Sequence, residues 1–63
     1  MDTNELFDRA VEIAKNKDYA IFSISLLQRR LNLGFIQASM IVEEMERKGM
    51  IGPYKDGQRE VLI

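Results

Sequence analysis

The sequence predicts an α+β fold in which three helices precede a β-hairpin. Apolar residues recur with helical spacing in three segments, a glycine-containing turn joins the last two, and an Asp-Gly pair separates two extended runs near the C-terminus. With a short strand after the first helix, these elements follow the order of a winged helix-turn-helix, with the hairpin as the wing. We expect residues 1–63 to form a single winged-helix domain.

The composition excludes several classes of function. With 46% hydrophobic and 30% charged residues, the 63-residue chain is typical of a globular protein rather than a disordered one. It contains no Cys and no His, so the usual zinc ligands are missing, and we expect neither a metal nor a cofactor. No apolar run approaches the ~20 residues of a membrane span, and the acidic N-terminal residues do not resemble a signal peptide. The expected compartment is the cytoplasm, with no membrane partner.

The charge of the chain is low and unevenly distributed. The net charge of −1 argues against a nucleic-acid binder that relies on bulk electrostatics. Residues 1–18 carry five acidic and three basic side chains, whereas residues 19–49 carry four basic and three acidic ones. Any contacts with phosphates would therefore be local and few.

The first helix is predicted from one apolar face and the polar residues before it. Thr3 or Asn4 can cap it, and Glu5 lies in the opening turn, where the helix dipole favours a negative charge. Its apolar residues are Leu6, Phe7, Ala10, Val11, Ile13 and Ala14. Residues 16–18 break the helix, and Tyr19–Phe22 is then typical of a short strand because it is aromatic and apolar and is preceded by turn-forming residues.

The second and third helices form the predicted helix-turn-helix. Ser23 is a suitable N-cap for the helix Ile24–Leu31, and the turn Asn32–Gly34 follows, with its leucine expected to fill the gap between the helices. The longer helix Phe35–Lys48 stops at Gly49, and its core-facing residues are Ala38, Ile41, Val42 and Met45. Because the second helix of this motif usually contacts the ligand, its outward face is the expected site.

Two strands, Met50–Tyr54 and Arg59–Ile63, are predicted on either side of residues 55–58. The Asp-Gly pair in this connection favours a tight turn, because Gly supplies the positive φ angle that such turns need. Pro53 lacks an N–H group and should lie at an edge or at a strand end. Together with Tyr19–Phe22, the hairpin would form a three-stranded sheet.

Four segments of the chain are distinctive: ELFDRAVEIA near the start, LLQRRLNLG at Leu26–Gly34, EEMERKGMIGPY at Glu43–Tyr54 and REVLI at the end. Together they resemble the gamma domain of the FtsK/SpoIIIE family of DNA translocases. The resemblance implies a small winged helix at the C-terminal end of an ATP-driven motor, which reads short polar DNA sequences and orients translocation during chromosome segregation. The GxxxxGK[ST] phosphate loop of such a motor is absent from these 63 residues.

The chain departs from this family at the start of the recognition helix. Family members usually have IGYNRAAR where this chain has LGFIQASM, residues 33–40. The resemblance places the family's base-reading Asn at Ile36 and its base-reading Arg at Met40, and keeps its acidic residue as Glu43. These positions follow i, i+4 and i+7, so they share one outward stripe. The neighbouring replacements are Phe35 for Tyr, Gln37 for Arg and Ser39 for Ala.

Double-stranded DNA is the partner that the resemblance implies. Ile36 and Met40 cannot form the bidentate hydrogen bonds of Asn and Arg, so we expect altered or weakened sequence specificity. They can contact a thymine methyl group or wedge into a groove. The side chains expected to face bases are Gln37, Ser39 and Glu43, and those expected to hold phosphates are Ser25, Arg29 and Lys55. Arg59 is a further candidate, and it can instead pair with Glu60 or an acid across the hairpin.

Two other interpretations of Ile36 and Met40 are open. They can be core residues packed against the hairpin, or they can form with Phe35 an exposed apolar patch that binds a partner protein or a second copy of the chain. Catalysis is not expected. No nucleophile–base pair is evident, and so small a chain lacks room for a water-excluding cleft around a small-molecule substrate.

Overall fold

A computed structural model describes residues 2–19, 21–56 and 58–63 and arranges three helices around an apolar core. α1 comprises Thr3–Lys15, α2 comprises Ile24–Leu31 and α3 comprises Phe35–Arg47. The three predicted helices are therefore confirmed, with α3 ending one residue before the predicted Lys48. The predictions for Ala20 in the short strand and Gly57 in the Asp-Gly turn lie outside the described residues, as does Met1.

Side-chain caps define where the first two helices begin. The carboxylate of Asp2 accepts a 2.8 Å hydrogen bond from the amide of Glu5, so Asp2 caps α1. The prediction that Thr3 or Asn4 caps this helix is wrong, because both residues already lie within its first turn. Ser23 caps α2 as predicted, since its hydroxyl oxygen accepts a 3.1 Å hydrogen bond from the amide of Leu26.

Left-handed backbone conformations end α2 and α3. Asn32 has a φ angle of 55°, which Asn tolerates better than most residues, and this angle turns the chain from α2 toward α3. Gly49 has a φ angle of 75° and stops α3 as predicted. Its amide donates to the carbonyl of Glu46, and the amide of Met50 donates to the carbonyl of Met45, both at 3.0 Å. This pair of hydrogen bonds is a Schellman motif.

The apolar core lies where the three helices meet the C-terminal segment. All four core-facing residues predicted for α3 are buried, which confirms the assignment of its inner face. The buried core residues are Leu6, Ala10, Ala14, Phe22, Leu26, Leu27, Ala38, Ile41, Val42, Met45 and Ile51. Leu33 packs against this cluster from the turn between α2 and α3, as predicted. Across the described residues, none of the helices is both long and apolar enough to cross a membrane.

The C-terminal residues fold back on themselves through isolated antiparallel bridges in place of the predicted continuous strands. The bridges join Phe22 to Arg59, Ile51 to Val61 and Lys55 to Gln58. Lys55 lies four positions after Ile51, whereas Val61 lies three positions after Gln58, so the first arm carries one extra residue. This arm also contains Pro53, which has no N–H group to donate. The ladder is interrupted for these two reasons.

Candidate nucleic-acid interface

The outward stripe of α3, which we define as Ile36, Met40 and Glu43, lies opposite the helix's buried face. At 3.6 residues per turn, these positions are on average half a turn from the buried residues of α3. The exposed fraction is 74% for Ile36 and 63% for Met40, and Glu43 is also exposed. The interpretation of Ile36 and Met40 as core residues packed on the hairpin is therefore wrong.

Grooves run along both flanks of this stripe. On one side, Phe35 lines a groove with Ser25, Tyr54 and Arg59, which brings α2, α3 and the C-terminal segment together. On the other side, Gln37 and Met40 line a groove with Asn4 and Phe7 of α1. The predicted residues Ser25, Phe35 and Arg59 are therefore neighbours, whereas Gln37 lies on the opposite flank, beside the groove next to α1.

The polar side chains at the start of α3 differ in their availability. Ser39 is half-buried, and its hydroxyl donates a 2.9 Å hydrogen bond to the carbonyl of Ile36 within the same helix. Gln37 is exposed. Glu43 is also exposed, and no basic side chain among the described residues forms a salt bridge with it. Gln37 and Glu43 therefore present hydrogen-bonding groups to solvent, while the hydroxyl proton of Ser39 is already engaged.

Arg59 holds the C-terminal segment against α3. Its Nη1 atom donates to Oε1 of Glu46 at 2.6 Å and to the carbonyl oxygen of Gly52 at 3.0 Å. Only 13% of the Arg59 side chain is exposed. The predicted partner, Glu60 or an acid across the hairpin, differs from the partner found, which lies on α3. Helical periodicity places Glu46 beside Phe35 and Ser39 on the flank of α3 that faces the C-terminal segment.

Basic side chains border the site at two separate places. Arg29 is exposed in the last turn of α2, and the guanidinium of its neighbour Arg30 lies 5.0 Å from the centre of the Tyr19 ring. Lys55 lines a cleft beside the end of α1 together with Lys15 and Lys17. Sequence reasoning missed these two lysines as neighbours of Lys55, because 40 and 38 positions separate them along the chain.

Arg47 is a third residue that sequence reasoning missed. It continues the outward stripe by one more helical step, and the i+4 and i+7 spacing of the stripe could have identified it. Its guanidinium pairs with the carboxylate of Glu44, which also lies 3.9 Å from the amine of Lys48. No group of three or more acidic side chains is arranged to hold a metal ion within the described residues.

These features define a helix-turn-helix module: two packed helices, a short turn with a left-handed residue, and an exposed face on the second helix. The profile of the family described as "Ftsk gamma domain" matches residues 1–63. This chain therefore belongs to the FtsK gamma domain family. The resemblance identified in the sequence is confirmed.

Three relatives illustrate the match. The chain is 42% identical over 62 residues to the DNA translocase SpoIIIE of Bacillus subtilis (strain 168), which covers 97% of the chain and 8% of that protein. It is 41% identical over 61 residues to the DNA translocase FtsK of Halalkalibacterium halodurans, covering 95% of the chain and 8% of the relative. The chain is 38% identical over 63 residues to the DNA translocase FtsK of Mesorhizobium japonicum, and this match covers 98% of the chain and 7% of the relative. The chain thus spans less than a tenth of the length of these relatives.

Proposed function

We propose that this chain is a DNA-binding module that inserts α3 into the major groove of duplex DNA. The observation that carries the proposal is the exposed outward stripe on the second helix of a helix-turn-helix, in a chain whose family is that of the translocase gamma domain. An α-helix fits the major groove, and this motif uses its second helix there. Gln37 and Glu43 would face base edges, with Ile36 and Met40 between them.

The C-terminal segment would act as the wing beside the recognition helix. Its antiparallel bridges, the Lys55–Gln58 turn and the tie from Arg59 to Glu46 support this role, because they fix the segment along one flank of α3. Winged-helix and helix-turn-helix modules rest such flanking elements on the phosphate backbone. The phosphate contacts would come from Ser25 and Arg29 on α2 and from Lys55 in the turn.

The biological setting that we propose is a cytoplasmic DNA translocase that acts in chromosome segregation. The relatives named above are DNA translocases that are more than ten times as long as this chain. Within such a protein, the module would recognise DNA while the motor resides elsewhere. Ile36 and Met40 stand where the family has a base-reading Asn and Arg, which supports a sequence preference that differs from the family's.

A salt titration tests the proposal. Fluorescence anisotropy of a labelled random-sequence duplex should detect binding at low salt, and the affinity should fall as salt rises, because each phosphate contact releases counterions. The Arg29→Gln variant should bind more weakly and with a logarithmic salt slope shallower by about 0.9. Arg9→Gln, an exposed change in α1, is the matched control and should behave as the wild type. Absence of duplex binding at low salt would contradict the proposal.

A second candidate function is protein binding through the apolar patch, which we define as Phe35, Ile36 and Met40. The exposure of all three side chains, 61% for Phe35, favours it, because clustered exposed apolar groups mark interfaces. Sedimentation of the wild type and of the Ile36→Asp, Met40→Asp double variant tests self-association. This candidate is ruled out if the wild type stays monomeric at every concentration and the double variant captures the same partners as the wild type.

A further inference from the structure

We propose that Ile36 and Met40 recognise the methyl group at C5 of pyrimidines, so that the module prefers duplexes carrying thymine or 5-methylcytosine at the positions that these side chains face. The inference rests on the proposed function, because it requires α3 to enter the major groove. It names the chemical feature of DNA that the outward stripe reads.

The position of the two side chains supports this ligand. Both belong to the outward stripe, with 74% and 63% of their surface exposed. They lie four positions apart, which corresponds to about 6 Å along the helix axis. Successive bases of one strand rise by about 3.4 Å, so the two side chains would address bases about two steps apart.

At the two positions themselves, apolar contact is the dominant chemistry. The hydroxyl of Ser39 donates to the carbonyl of Ile36 and Arg47 pairs with Glu44, so the free hydrogen-bonding groups nearby are those of Gln37 and Glu43 on either side. The isoleucine and methionine side chains offer no hydrogen-bond donor and at most a weak sulfur acceptor. Opposite a base edge with unpaired polar groups, they would displace water without replacing its hydrogen bonds. In the major groove, the thymine methyl is the apolar group that the bases present, and 5-methylcytosine carries the same group.

The size of the apolar patch favours a DNA groove over a protein partner. A standard protein–protein interface takes about 20–30 residues from each side, whereas the apolar patch consists of three side chains on one helix. A narrow apolar strip on a single helix suits base edges that lie between phosphate backbones.

The test compares duplexes that differ only in methyl groups. Anisotropy titrations would use an alternating A·T duplex against the same duplex with uracil for thymine, and an alternating G·C duplex with cytosine against one with 5-methylcytosine. Burial of one methyl group corresponds to an affinity difference of about fourfold. We expect the methyl-bearing member of each pair to bind about 4- to 15-fold more tightly when one or both side chains engage.

Two variants test whether the outward stripe causes the preference for methyl-bearing duplexes. The Ile36→Ser, Met40→Ser double variant should bind the members of each pair equally, whereas Leu62→Ser, which removes another exposed apolar side chain, should keep the preference. Equal wild-type binding within both pairs overturns the inference and leaves DNA binding intact. A methyl preference that survives in the double variant also overturns it, because DNA shape would then be the cause. Failure to bind any of the four duplexes at low salt overturns the proposed function as well.

Discussion

Replacing Arg59 by methionine should loosen the C-terminal segment from α3. The change keeps most of the apolar stem and removes the guanidinium, which donates to Glu46 and to the carbonyl of Gly52. Only 13% of the Arg59 side chain is exposed, so the carbonyl of the buried Gly52 would lose its partner in a site that water reaches poorly, whereas the carboxylate of Glu46 would be rehydrated. Arg59 and the neighbouring Val61 also form antiparallel bridges, with Phe22 and Ile51 respectively.

The magnitude follows from the two hydrogen bonds. A hydrogen bond that involves a charged group contributes about 1.5–3 kcal/mol to the free energy of unfolding. The Glu46 side chain is 41% exposed, so its bond contributes only up to about 1 kcal/mol, and with the bond to the Gly52 carbonyl we expect a total loss of about 2–3 kcal/mol. For a domain of this size, that loss lowers Tm by roughly 8–24 °C.

Thermal and urea unfolding followed by circular dichroism would measure the loss. Arg47→Met is the matched control: its guanidinium pairs with Glu44 on the open surface, and the free energy of unfolding should change by less than about 0.5 kcal/mol. A double-mutant cycle with Glu46→Gln should give a coupling energy of about 1 kcal/mol between Arg59 and Glu46. Equal stability of Arg59→Met and Arg47→Met would refute the reasoning.

Three further predictions concern the C-terminal end, the buried face and the outward stripe of α3. Gly49→Ala should lower the free energy of unfolding by about 1 kcal/mol in urea titrations, because a φ angle of 75° strains a residue with a Cβ atom, and Gly49→Asn should cost less. Met45→Ala should cost about 2–5 kcal/mol, because this side chain is fully buried, and Met45→Leu less than about 1.5 kcal/mol; comparable losses would contradict close packing there. The Ile36→Asn, Met40→Arg double variant should unfold within about 0.5 kcal/mol of the wild type, and it should gain about 1–3 kcal/mol of discrimination for adenine and guanine in competition binding. Unchanged base preference in that variant would show that α3 does not face the bases.

The helices and the core of α3 could be predicted because local rules determine them. Helical spacing of apolar residues identified the buried face of α3, and Ser23 and Gly49 carry their capping preferences wherever they occur. The start of α1 could not be placed to the residue, because Asp2 and Asn4 are both good caps and the choice depends on which amide each side chain reaches. The prediction of two continuous strands was wrong for a related reason. A one-residue offset between the two arms is a property of their pairing, which neither arm reveals alone.

In the candidate site, too, the features set by local rules could be predicted and the contacts between distant segments could not. Helical geometry predicted that Ile36, Met40 and Glu43 share a stripe, and their exposure follows from the position of the core. The partner of Arg59 and the cleft shared by Lys15, Lys17 and Lys55 are contacts between segments far apart in the sequence. Such contacts depend on how α1 and the C-terminal segment pack, which no local pattern encodes.

The low charge of the chain has a consequence for how such a module would work. With a net charge of −1 and few candidate phosphate ligands, the electrostatic part of its DNA affinity is small. A free module would then bind DNA weakly. Tethered within a protein of the relatives' length that already holds DNA, the same module would meet the duplex at an effective concentration in the millimolar range. Weak binding would be sufficient there, and it would let the module leave each sequence quickly as the DNA moves. The apolar contacts that we propose for Ile36 and Met40 would fit this requirement, because they would add base discrimination without adding the salt-dependent affinity that would hold the module at every site.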